Sequence, residues 1–305
     1  MSLERFVKKV EHKIRDSAPK EKPSVLVISS QVVSGCVGMR SMVFALERMG
    51  FNVWMLPTIL LPWHPGQGRG ERISASDEAF KHIVEQICAS DELSNVKGVL
   101  SGYMANVAQI SDVVKIVEAV KSCNEDAVYL CDPVIGDNGG LYVAEPIAEA
   151  IRDQLLPLAD VSTPNRFELA WLSGFGTDME NEAVAAARTL GVERTIVTSS
   201  PAIRRNSISN LLVGPRGSLA IEHAEVQGAP HGTGDLLSAL YLARCLSGQS
   251  DEDALKKATA STFELVARSV KVGSDDLLYA EHQDSLIRPM ALVNTRRVVE
   301  APERA

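Results

Sequence analysis

Short apolar runs at 25–28, 53–56, 98–100, 127–131, 160–162 and 195–197 recur along the chain, with helical patterns between them, among others at 76–87, 107–122 and 180–190. Short apolar runs that alternate with helical patterns read as strands of a largely parallel sheet flanked by helices. The pattern restricts the chain to an α/β fold with a largely parallel central sheet flanked by helices. Residues 211–213 and 219–222 flank Gly214-Pro215-Arg216-Gly217 and read as a hairpin. Long helical patterns at 235–246 and 252–270 close the core. With no repeat and no convincing linker, residues 24–290 are expected to form one domain, after an N-terminal extension over 1–23 and before a C-terminal tail over 291–305. In the extension, Phe6, Val7, Val10 and Ile14 fall at helical spacing and predict a docked surface helix. Its polar face mixes both signs of charge, which speaks against a membrane anchor.

Apolar residues make up 45% of the 305, enough for a sizeable core. The formal net charge of −8 speaks against a nucleic-acid partner or an anionic membrane face, both of which want a basic patch. The 5 cysteines are widely spaced without a C-x-x-C pair, so neither a disulfide framework nor a zinc site is expected. Cys131 sits in an apolar run and reads as core. The charged N-terminus has no secretory h-region, and no apolar stretch approaches the roughly 18 residues of a membrane span. A cytoplasmic protein with a small-molecule partner is expected.

The apolar runs end in residues capable of chemistry. They deliver Ser29 and Ser30, Thr58, Ser101 and Tyr103, Asp132 and then Asp137, Thr163 with Asn165 and Glu168, and Thr198 with Ser199. In open parallel sheets ligands bind in the crevice outside the carboxyl ends of the strands, so these groups are candidates for one site. Singly, each is as well explained as a helix cap or turn residue.

Gly232-Thr233-Gly234-Asp235 is the sharpest local element. Two glycines let the backbone bend closely around a ligand. The N–H groups of Gly232, Thr233 and Gly234 at a helix start form an anion site of the kind that stabilises a phosphoryl group in transfer. Asp235, one residue on, stands where a general base for an attacking hydroxyl belongs. The plainer reading is a glycine turn with an acid at a helix start. Asn165 and Glu168 likewise read in two ways, as a site in which Glu168 holds a water of a Mg²⁺ shell or as a helix capping box.

Together these elements resemble the ribokinase superfamily, and within it the pyridoxal kinase family. The carriers are ISSQVVSGCVG, LERMGFNVW, SGYM, VYLCDPVIGDNGGLYV, ADVSTPNRFELAWLSG, TIVTSS and GTGDLLSALYLA, whose order and spacing resemble the family from about Val25 to about Val270. The resemblance implies a ribokinase-like three-layer fold with a small flap over the site, ATP and Mg²⁺ with K⁺ or another monovalent cation, and a homodimer. It implies Asp235 as the base toward the 5′-hydroxymethyl of pyridoxal, with Gly232, Thr233 and Gly234 as the anion hole. Ser30, Thr58 and Tyr103 would line the pyridoxal pocket. Asp132, Asn165, Glu168, Thr198 and Ser199 would face the phosphates and metal, with Asp132, Asp137 and Glu168 toward the metal. Tyr142 and Thr163 match positions near the nucleotide and a monovalent cation, and His223 to Val226 would run along the adenosine.

The chain departs from the family at Gln31, where a histidine is common, at Met39, where an asparagine is, and at Leu60, where many relatives carry a glutamine. Trp63 or His64, on the Pro/Gly-rich flap LPWHPGQGRG, could instead close over a pyridine ring. Those differences keep open a sister kinase acting on another hydroxymethyl compound, such as hydroxymethylpyrimidine. A non-catalytic binder of nucleotide or B6 vitamer is a third reading, disfavoured because a binder needs no base.

Overall fold

The computed structural model describes residues 23–300. The helix expected in the N-terminal extension, and the last residues of the expected tail, lie outside the described residues.

The chain opens with β1 (Ser24–Val32), helix α1 (Met39–Arg48) and β2 (Asn52–Leu61). The flap follows, with a short 3-10 turn at Pro65–Gln67, and then α2 (Asp77–Cys88), β3 (Val96–Ser101), α3 (Val107–Cys123) and β4 (Val128–Cys131). A small hairpin of β5 (Gly136–Asp137) and β6 (Gly140–Leu141) precedes α4 (Glu145–Ala150) and β7 (Val161–Ser162). Next come α5 (Arg166–Ser173), α6 (Glu180–Thr189), β8 (Arg194–Pro201), β9 (Ser207–Gly214) and β10 (Gly217–Ala224). The chain closes with α7 (Thr233–Leu246), α8 (Asp251–Lys271), the short α9 (Tyr279–His282) and α10 (Asp284–Ile287), and β11 (Asn294–Val298).

The main sheet has 9 strands in the order β11-β10-β9-β8-β7-β4-β3-β1-β2. From β2 to β8 every pairing is parallel, and β8 to β11 pair antiparallel. The expected mostly parallel sheet between helical layers is therefore present. β1 explains why its sequence does not alternate. Val25 and Val27 pack with α1, α7 and α8 in one cluster, while Leu26 and Ile28 pack with α2, α3 and α4 in another. A strand covered on both faces is apolar throughout.

Most expected elements lie within a few residues of their observed bounds. Ser76 caps α2 by accepting the N–H of Ala79, and Pro215-Arg216 makes the tight turn between β9 and β10. Two expectations need correction. Residues 294–298, expected within a tail, form β11 and pair with β10 from Ser218 to Glu222. Arg296 ties that strand to Glu180 and Glu222, charged contacts that a hydrophobicity pattern cannot register. Helix α7 begins at Thr233 rather than at Asp235, because Gly232 takes the N-cap position. All cysteines are free, and Cys131 is buried as expected.

Candidate active site

At the carboxyl end of the parallel strands, the turn before α7 packs against the loop after β1. Gly232 has φ 89°, the left-handed region that glycine enters without strain. A Cβ there would lie 1.9 Å from the carbonyl oxygen of Cys36 and 3.1 Å from Cα of Val37. Close backbone approach therefore demands glycine on both counts. The α7 start has no side-chain cap, which leaves the first-turn N–H groups, from Thr233 onward, for a ligand. Around Gly234 the space is open, since a Cβ would meet nothing within 4 Å.

The β1 loop also holds Asp235. Gly38 N–H donates to Asp235 Oδ2 at 2.7 Å, leaving Oδ1 to receive a proton. Burial pushes the Asp235 carboxyl up to about 6, while the Gly38 N–H pulls the other way. Gly38 went unnoticed in the sequence although it is fixed as firmly as Gly232. Its φ is 57°, and a Cβ would fall 2.5 Å from both the carbonyl oxygen and Oγ of Ser30.

Asn165 and Glu168 do form a capping box at the start of α5. Glu168 N–H donates to Asn165 Oδ1, and Asn165 N–H to Glu168 Oε2, both at 2.9 Å. The capping geometry and the site geometry coexist. Glu168 is 3% exposed, and its Oε1 also accepts the N–H groups of Ile135 at 2.8 Å and Gly136 at 3.4 Å. Asn165 Nδ2 donates to the Gly136 carbonyl at 2.8 Å. These bonds turn the Pro133–Gly136 loop inward and hold Val134 at φ 45°. A β-branched residue in that region costs on the order of 1–3 kcal/mol and persists only where its surroundings over-determine it.

Asp132 lies behind this pair, with its Oδ2 accepting from Ser238 Oγ at 3.1 Å. Ser238 Oγ shares a second bond, 2.8 Å, with Thr163 Oγ1. Burial, then the charges of Glu168 and Asp235, push the Asp132 carboxyl well above the usual range. Burial also raises Glu168 to about 7, outweighing its three backbone donors, with the Asp235 charge adding to the rise. The three carboxyls thus share one neighbourhood and disfavour one another's ionisation.

The other expected site residues fall into three places. Thr198, Ser199, His223, Val226, Thr233 and Gly234 line one cleft that opens to solvent. Its wall also contains Asn210, Thr262 and Phe263, which carry no local motif and were not foreseen. Phe263 lies against His223, ring centroids 4.8 Å apart. Ser199 is held at φ 53° where the β8–β9 register shifts.

A second group lies beside the flap. Tyr103 N–H donates to Ser29 Oγ at 3.2 Å, and its hydroxyl accepts from Arg72 at 2.6 Å. Ser30 is buried against Gly38. Asp137 and Tyr142 pair on the small hairpin, and burial with the Asp137 bond raises the phenol. Asp137 also accepts Gly139 N–H at 2.7 Å.

The third group sits behind the site. Thr58 is 1% exposed and its hydroxyl donates to the Tyr103 carbonyl at 2.8 Å, so it holds Tyr103 instead of facing the cleft. Thr163 is similarly enclosed, its hydroxyl engaged by Ser238. Of the departures, Met39 is buried in the α1 core cluster, and Gln31 donates to the Val32 carbonyl. Leu60 is half-exposed and bridges the returning limb of the flap at Ile73.

Residues 73–279 match the family model described as phosphomethylpyrimidine kinase. A pyridoxal kinase of Corynebacterium diphtheriae is 32% identical over 275 residues, covering 87% of this chain and 96% of that protein. One from Leifsonia xyli is 33% identical, covering 90% and 99%. The structure of Leishmania donovani pyridoxal kinase in complex with ADP and pyridoxine superposes with a TM-score of 0.84, at 29% identity over 91% of this chain and 99% of that one.

Proposed function

This chain belongs to the pyridoxal kinase family of the ribokinase superfamily, and from that membership we propose how its own residues carry out ATP-dependent phosphorylation of pyridoxal. The 5′-hydroxymethyl oxygen attacks the γ-phosphorus of ATP as its proton passes to Oδ1 of Asp235. The bond to the bridging oxygen breaks, and ADP and pyridoxal 5′-phosphate leave. The observation that carries this reading is the packing of the Gly232 turn on the Cys36–Val37 backbone. It sets the Asp235 carboxylate and the free first-turn N–H groups of α7 side by side. A base poised near 6 is ionised at neutral pH yet basic enough to take a hydroxyl proton as it is released. The amides of Thr233 and Gly234 receive the charge that develops on the transferring group.

The cleft lined by Thr198, Ser199, His223, Val226 and Phe263 takes the nucleotide, with base and ribose along His223 and Phe263 and the phosphates toward Gly234. Ser30 and Tyr103, with the flap, take the pyridine ring. The carboxyls of Asp132 and Glu168 fit a divalent cation. Ionisation of both beside Asp235 is unfavourable without one, and Mg²⁺ keeps several waters and needs few direct protein ligands. Both Glu168 oxygens are engaged by backbone N–H groups, so Glu168 serves through a bound water, and Asp132 has an oxygen free of Ser238. When bound, the ion neutralises phosphate charge. A monovalent cation and a homodimer belong to the same proposal.

A second reading, a hydroxymethylpyrimidine kinase, is favoured by the description of the matched family model and by Leu60, which offers no polar group from the flap limb. Purified protein supplied with Mg-ATP and either pyridoxal, pyridoxine, pyridoxamine or hydroxymethylpyrimidine separates the two. Pyridoxal is expected to give the highest kcat/KM, and a preference for the pyrimidine would reassign the substrate.

A further inference from the structure

Two imidazoles join the flap to the turn that carries Asp235. His64 and His231 stack with ring centroids 4.1 Å apart and planes inclined by 30°. His64 caps the 3-10 turn, its Nδ1 accepting the N–H of Gly66 at 3.1 Å. A Cβ on Gly66 would lie 2.9 Å from His64 Nδ1 and 3.1 Å from His231 Nε2, so both rings rest against that glycine. His231 directly precedes Gly232, whose position is fixed by the Cys36–Val37 backbone. One ring of the pair therefore stands on a rigid turn and the other on the flap tip. The flap's base is tied separately, by the Leu60–Ile73 bridge and the Arg72–Tyr103 hydrogen bond.

We propose that His64 and His231 form a clamp that closes the flap over the acceptor subsite, holding the acceptor hydroxyl before Asp235 and keeping water out, and that the clamp opens when the His64 imidazole takes a proton. The acceptor's role rests on the kinase reading, whereas closure itself does not. Nδ1 of His64 accepts a hydrogen bond here, which requires a lone pair and hence the neutral ring. A proton on that nitrogen would face the Gly66 N–H and place a cation against the second imidazole.

The titratable groups that act on His64 are the stacked ring of His231 and Asp137, from the small hairpin. Burial and the His231 charge lower the His64 imidazole below its usual value, and Asp137 opposes them. A lowered pKa in the closed state means that closure is fully present above the free imidazole's pKa, about 6.5, and is lost as pH falls below it.

The test uses the full chain as wild type, His64→Ala, His231→Ala and a double His64→Phe/His231→Phe variant, whose rings stack but do not titrate. Each alanine variant is expected to raise the acceptor KM about ten-fold at pH 8 with kcat changed less than about two-fold. ADP release without acceptor should rise, and the two alanines together should be no worse than one. In wild type the acceptor KM should climb between pH 7.5 and about 5.5, and in the double phenylalanine variant it should stay flat. Unchanged KM in both alanine variants, or the same acid rise in the phenylalanine variant, overturns the clamp.

Trp63, beside His64 with its Nε1 donating to the Gly68 carbonyl, gives a readout without substrate. The pH-dependent emission lost in Trp63→Phe should be present in wild type and absent in the phenylalanine pair. If wild type phosphorylates neither a B6 vitamer nor hydroxymethylpyrimidine, the kinase reading fails and this emission alone decides the clamp, an identical acid response in both proteins overturning it.

Discussion

The Gly232–Asp235 turn and the flap face the same space but are held in opposite ways. Backbone packing holds the turn, with Gly232 against Cys36, Gly38 against Ser30, and the Glu168 carboxylate anchored by main-chain N–H groups. The flap's first limb is tied to the β1 loop by the Val33 and Ser34 N–H groups, which donate to the Leu61 and Pro62 carbonyls, and its return by the Leu60–Ile73 bridge and one side-chain bond, while its tip is held only by one pair of rings. Phosphoryl chemistry is intolerant of displaced groups, since an ångström's misplacement costs orders of magnitude. Recognition of the acceptor ring needs a part that moves aside and returns. On the proposed function, rigid and movable parts of the site are thus divided between groups that react and groups that select.

That contrast can be broken most severely at Gly232. A Gly232→Ala variant must displace the β1 loop, because its methyl would overlap the Cys36 carbonyl. We expect activity to fall at least about 10³-fold and stability by about 3 kcal/mol or more, measured by urea unfolding. A fully active, fully stable alanine variant would show the turn to be as yielding as the flap. Next, Glu168→Gln puts an amide NH₂ toward the Ile135 or Asn165 N–H donors. It should lower kcat/KM about 10²-fold, with a larger Mg²⁺ requirement and retained nucleotide binding.

pH separates the two regions further. Asp235 must be ionised to accept a proton, so kcat should fall about ten-fold per pH unit below about 6. The acid dependence carried by His64 should instead appear in the acceptor KM. The smallest effect is expected at Leu60, which lies on the flap limb and is half-exposed. Leu60→Gln should lower the pyridoxal KM by only about two- to three-fold, with kcat unchanged, in steady-state assays.

The same division explains what could be read from the sequence. The buried strands announce themselves because a strand covered on both faces must be apolar, as Val25 to Ile28 are. The backbone geometry around Asp235 and Glu168 follows from local strings, because glycine spacing and the Asn165–Glu168 pair encode it within a few residues. What stayed hidden depends on contacts distant in the chain. Gly38 meets Asp235 across 197 residues, and Phe263 reaches the cleft beside Thr198 and His223 from the middle of an amphipathic helix. Strand β11 is drawn to the sheet edge by Arg296. Thr58 and Thr163 have the right residue types in the right order. Whether a hydroxyl faces a cleft or a neighbouring carbonyl is decided only by packing.

Asp235→Asn tests the central claim most directly, with single-turnover phosphoryl transfer to pyridoxal and ADP affinity measured on the same preparation. The folded protein raises this carboxyl to about 6, above its unfolded value. The stability that protonation brings is therefore present at low pH and lost above about 6, so the neutral variant should melt higher at pH 8. The account predicts transfer slowed about 10²–10⁴-fold with ADP affinity unchanged. Transfer at the wild-type rate in a well-folded Asp235→Asn protein would contradict it.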